Sequence, residues 1–106
     1  MHPDFVNAAE MLPVPKLRSL SPEQVEGGAC PWCGIHLDGG TSMRLGPRIG
    51  ATSSGIERWF PRACRPCVGK AAVRVYQLHL RTCARCSHRD YCPDSRALHQ
   101  LATECR

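Results

Sequence analysis

The chain has 106 residues, nine glycines, nine prolines, only 6% aromatic residues and no long apolar run. A core of that composition buries too little surface to offset chain entropy, so disulfides or metals are expected to hold the fold, and a membrane-spanning segment is excluded. The formal charge of +5 comes from twelve arginines and two lysines set against nine acids.

Residues 1–28 are expected to form an extended arm with a short helix. Pro13, Pro15 and scattered apolar residues give residues 1–20 no usable period, which suits a mobile or surface-docked segment. Ser21-Pro22-Glu23-Gln24 then reads as a helix start, with Ser as cap, Pro at the first helical position and Gln closing a capping box. Gly27-Gly28 should end that helix after about one turn. Met1 to Pro15 has no basic start followed by an apolar core, so the chain is expected to be cytoplasmic, where paired cysteines favour metal over disulfides.

Residues 29–82 form the expected first module. Cys30-Pro31-Trp32-Cys33-Gly34 has the form of a zinc knuckle: Pro stiffens the turn, and Gly34 permits the positive φ that turns backbone amides toward sulfur. Ile35–Leu37 and Thr41–Leu45, joined at Asp38-Gly39-Gly40, should form a β-hairpin. Residues 46–55 read as a flexible loop, and Ile56–Phe60 as a returning strand. After Cys64-Arg65-Pro66-Cys67 the period becomes helical from Val68 to about Thr82. Val68, Ala71, Ala72, Val75, Leu78 and His79 share one face, and Lys70, Arg74, Gln77 and Arg81 make a polar stripe. Val73, Tyr76 and Leu80 add a second apolar stripe, so the helix should pack on both sides. Residues 83–106 form the last module, with a turn at Cys83-Ala84-Arg85-Cys86 and a helix from Pro93 to about Thr103.

Seven of the eight cysteines fall into a ligand grid of three Cys-x2-Cys pairs followed by Cys92. Two intervening residues let one tight turn aim both sulfurs at a point about 2.3 Å from each, which tetrahedral zinc requires. The expected first site is Cys30, Cys33, Cys64 and Cys67. The second is Cys83, Cys86, Cys92 and His99, because His99 lies two turns along the same helix face as Cys92. Cys105, His88 and His79 compete for that fourth place, and a cross-braced pairing of Cys30 and Cys33 with Cys83 and Cys86 stays open. Two Zn2+ ions per chain are expected. Both sites can fill all four positions and acids near them are scarce, so the zinc should be structural and the chain not an enzyme.

Knuckle, hairpin and a second Cys-x2-Cys at a helix start make residues 29–82 resemble a treble-clef zinc finger, with a zinc ribbon as the close alternative. The resemblance implies a small metal-stabilised α+β fold: a treble-clef-like module of β-hairpin plus helix, followed by a short zinc-stapled C-terminal helix. Members of that superfamily bind DNA, RNA, proteins and ribosomes, and some are nucleases that need a catalytic histidine in the hairpin. His36 alone occupies such a position, with no His-Asn-His constellation around it. Cys67-x15-Cys83-x2-Cys86-x5-Cys92 is also similar to the spacing of WhiB-like iron–sulfur regulators. That likeness implies a four-iron cluster on Cys67, Cys83, Cys86 and Cys92, although the glycine-tryptophan turn and basic tail of the family are missing. The Cys-Pro-Trp-Cys-Gly run is similar to a rubredoxin iron knuckle. The arginine-rich composition resembles that of a high-GC bacterium such as an actinobacterium.

Seven thiolates against two divalent ions would remove three charges, leaving the folded chain near +2 by ligand arithmetic. Two functions follow as expectations. One is a nucleic-acid-binding or transcription-associated regulator using Arg58, Arg62, Arg65, Lys70, Arg74 and Arg81. The other is a protein-interaction adaptor offering Trp32, Trp59, Tyr76 or Leu80 to a partner. Neither a membrane nor a small-molecule substrate is expected.

Overall fold

The computed structural model describes residues 7–38, 40, 42–87 and 92–105, with Ser87 described for its backbone only. Ser21 and Gln24 close the capping box in both directions, and α1 runs over Pro22–Val25. The Gln24 side chain also donates its amide to the Cys30 carbonyl at 2.9 Å, so the cap holds the first knuckle in place. Gly34, at φ 79°, turns the chain back on itself. Its N–H bonds the Cys30 carbonyl, the Cys30 N–H bonds Ile35, and Ala29 pairs with His36 across the turn.

The expected hairpin between residues 35–37 and 41–45 takes a different form. Strand β1, Ser42–Arg44, pairs antiparallel with β4, Arg62–Cys64, placing Ser42 opposite Cys64. Gly39 and Thr41 of the expected hairpin lie outside the described residues. Residues 46–55, expected as a loop, contain strand β2, Arg48–Thr52, which forms a hairpin with β3, Gly55–Trp59. The Thr52 hydroxyl accepts from the Ser54 N–H and donates to the Gly55 carbonyl, fastening the two-residue turn. Ser, Thr and Gly content suggested a loop, but side-chain-to-backbone bonds of that kind are also how such residues close a hairpin.

The arm is part of the core. Residues 8–11 and 17–19 form single 3-10 turns, and Leu12 between them is fully buried. Burial of one such side chain contributes about 1.5–3 kcal/mol. Arg48 holds the arm there, donating to the carbonyls of Leu12, Ala9 and Leu45 at 2.7, 2.8 and 3.0 Å. An expectation drawn from low periodicity missed this because residues without regular structure have no period to read. Residues 1–6 of the arm lie outside the described residues.

Helix α2 spans Arg65–Thr82, α3 spans Ala84–Ser87 and α4 spans Pro93–Glu104. Helices α2 and α4 lie antiparallel. At one end a Cβ on Gly69 would come 2.5 Å from the Cys105 carbonyl oxygen, so glycine is what lets the two backbones approach. Arg65 donates to the Glu104 carbonyl at 2.6 Å at the same end. Ala8, Ala9 and Leu12 join Leu45, Ala63, Val68, Ala72, Leu98, Leu101 and Cys105 in one core. The result is a small α+β fold with two short antiparallel sheets. The second apolar stripe of α2 is only partly covered: Tyr76 packs against the core, but Val73 and Leu80 remain exposed, as does Leu78 at the far end of the first face.

Candidate metal centres and the basic face of the long helix

Each end of α2 carries a cluster of potential ligands. Cys30, Cys33, Cys64 and Cys67 meet at its start, with all four sulfurs within 4.8 Å of one another. The knuckle supplies the first two, while Cys64 caps α2 and Cys67 sits in its first turn. Cys33 and Cys64 sulfurs are 3.7 Å apart. A tetrahedral ion at about 2.3 Å from each sulfur requires edges of about 3.8 Å, so the spacing fits.

The second cluster is His79, Cys83, Cys86 and Cys92, again within 4.8 Å of one another. Cys83 and Cys92 sulfurs are 3.9 Å apart, and His79 Nε2 lies 3.0 Å from the Cys92 sulfur. The residue that completes this cluster is thus His79 and not His99. Cys92 and His99 do share a helical phase, but seven residues advance α4 by about 10 Å, too far for one ion. His79 and Cys83 are four residues apart, one turn at the end of α2, and this His-x3-Cys spacing was the signal to read. His99 instead sets its ring against Tyr76, with centroids 5.5 Å apart. Cys105 is buried in the core with its sulfur 3.8 Å from that of Met43. His88 lies outside the described residues.

Cysteine ionisation within the clusters is uneven. Burial works to raise the Cys30 thiol, but backbone N–H groups of Cys33, Cys64 and Trp32 outweigh it and bring its pKa to about 7. Cys92 behaves alike: burial opposes ionisation, yet the Ser95 backbone N–H and His79 lower it to about 6. Burial and neighbouring sulfurs raise Cys67, and burial raises Cys64. One ready thiolate per cluster would give an incoming cation a foothold, and its charge would drive the remaining protons off. Helix N-termini behind Cys64, Cys67 and Cys92 add positive potential to the sulfurs. Both clusters could therefore hold a metal ion through four protein ligands.

Cys67 is assigned to the first cluster and Cys83 to the second, at opposite ends of a helix that rises about 24 Å between them. The four-cysteine set implied by the WhiB-like spacing is not brought together. Pairing is sequential, with Cys30 and Cys33 beside Cys64 and Cys67. His36 is engaged with Glu23 at 2.6 Å on the surface.

The six basic residues singled out in the sequence divide into two groups. Lys70, Arg74 and Arg81 lie exposed on one stripe of α2, turned away from Val68 and Ala72 in the core. Arg58 is exposed on β3, where its cross-strand partner is Ile49. Arg62 is half-buried, its side chain packed by Gly27 and its Nε sealed from solvent. Arg65 ties α2 to the end of α4. Among the described residues no helix is long and apolar enough to cross a membrane. No family model, curated protein or solved structure matches the chain, and the two candidate metal clusters rest on their geometry.

Proposed function

We propose that the chain is a structural two-zinc protein, with a treble-clef-like first module and a zinc-stapled C-terminal helix, that binds nucleic acid as a small transcription-associated regulator. Cysteine-rich tetrahedral sets favour zinc, and four protein ligands at each cluster leave no open position for a reacting water. This supports a structural role for the metal and a non-enzymatic one for the chain.

One observation carries the nucleic-acid reading: α2 has no acidic residue in eighteen, and its outward stripe presents Lys70, Arg74 and Arg81 to solvent. A helix fixed at its start by a metal knuckle is a rigid carrier for phosphate contacts. Positive charge spaced at one-turn and two-turn intervals follows the line of a phosphate backbone without needing a large net charge. The zinc-loaded protein should shift duplex DNA at low salt, and binding should weaken steeply between about 50 and about 200 mM salt. Replacing Lys70, Arg74 and Arg81 with alanine together should reduce the salt slope by about three. Absence of any shift at low salt removes the reading. Metal analysis on the same sample should return two zinc ions per colourless chain.

A further inference from the structure

A groove of about 760 Å3 runs between α2 and α4, and nothing in the described chain covers it. Its floor on α2 is Gly69, Val73, Tyr76 and Leu80, which recur at helical spacing along one side. From α4 come His99, Ala102 and Thr103, with Cys105 just past its end. Val73 and Leu80 are 43% and 42% exposed, whereas Val68 and Ala72 of the same helix are fully buried. Leaving two large apolar side chains in water along a continuous strip costs solubility, and such a strip marks an interaction surface.

We propose that this groove docks an acidic amphipathic helix of a protein partner. The walls are helices whose own backbone groups are bonded internally, so the groove has no ladder of free N–H and C=O groups for an extended strand. An occupant must satisfy its own backbone, and a helix does so. From Gly69 to Leu80 the floor runs about 16 Å, or three turns, which suits apolar anchors at one-turn intervals on a single short helix.

Charge fixes the partner's sign. Lys70 gives the groove a positive edge and no acid lies among its lining residues, whereas Arg74 lines a separate depression with Trp32 and Val75. Glu104 is turned the other way: its carboxylate accepts from Gln100 Nε2 at 3.1 Å, and it lines a separate depression with Asn7 and Met43. A second copy of this chain would bring the same positive edge against itself and be repelled. Nucleic acid would find apolar side chains on the floor, where phosphate gains nothing.

The test uses the zinc-loaded full chain and a fluorescein-labelled helical peptide of about 15 residues, with leucine at the anchor positions and glutamate elsewhere. Fluorescence polarisation should show saturable binding. A scrambled peptide, and a version with lysine in place of glutamate, should each bind at least about tenfold more weakly. Val73→Asn and Leu80→Gln, neutral changes at exposed positions, should weaken the acidic peptide by a similar factor and keep both zinc ions and DNA binding. Equal binding of the scrambled or lysine peptide overturns the proposal, as does full binding by both variants or no saturation with the acidic peptide. If Val73→Asn weakens duplex DNA as much as peptide, the groove belongs to a nucleic-acid surface and the proposal fails.

Discussion

Helix phase and helix rise are separate conditions, and the second cluster turns on both. His99 meets the first relative to Cys92 and fails the second, whereas His79 meets both relative to Cys83. His79→Ala should therefore release one zinc ion of two, and His99→Ala should keep both; zinc counted per chain by elemental analysis decides it. Retention of two ions by His79→Ala would return the fourth position to another residue. Acid dependence follows from the same side chains. The pKa values of about 7 for Cys30 and about 6 for Cys92 lie below the ordinary thiol value of 9.0. Such lowering stabilises the folded cluster fully above the ordinary value of 9.0, and the contribution is lost progressively as pH falls to the folded values of about 7 and about 6. Metal adds a further dependence of the same sign, since protons compete with zinc for every thiolate. Zinc transferred to a chromophoric chelator should thus rise steadily as the pH is lowered from about 8 to about 5. A flat profile over that range would remove the thiolates as ligands.

At the level of elements, the contact between α2 and α4 rests on a missing side chain. In an open helix, glycine to alanine gains about 1 kcal/mol. At Gly69 the new Cβ would sit 2.5 Å from the Cys105 carbonyl oxygen, which is backbone and cannot rotate away. Gly69→Ala should accordingly lower stability by about 1–3 kcal/mol, read as a fall in melting temperature of the zinc-loaded protein. A rise in melting temperature would mean that α4 does not pack there. Elements with strong local signals were legible beforehand. The capping box at Ser21 and Gln24, the helix after Cys67 and the helix after Cys92 all announce themselves through caps, prolines and apolar period. Strand β2 was not, because Arg48–Thr52 has few strand-forming side chains and depends on β3 for its hydrogen bonds. Burial of Leu12 was not legible either, since what holds it is Arg48, thirty-six residues away.

For the molecule as a whole, the two clusters bracket α2, and α4 closes over a core shared with the arm. Cys92→Ser should release one zinc ion and loosen residues 83–106, while the four-cysteine cluster keeps its own ion. Metal stoichiometry together with hydrogen exchange measures both effects. Because α4 also covers Val68 and Ala72, protection should fall on that side of α2 as well. Removing both ions by exhaustive chelation should abolish cooperative melting and most helical circular dichroism, because so small a core does not hold alone. An unchanged melting curve would show that the apolar core suffices.

The sequence by itself determined that the cysteines gather into ligand-like pairs, because cysteines with two residues between them fix their geometry through local turns that need no distant partner. It also determined α2 and α4, whose apolar spacing is a property of neighbours in the chain. Tertiary structure alone decided which histidine completes the second cluster, which arginines stay free to meet a ligand, and which apolar face of α2 is left open. Those outcomes depend on where separate elements come to rest against one another. Arg48 and Lys70 are both exposed-residue types in composition, yet one holds the arm by two of its carbonyls and the other faces solvent.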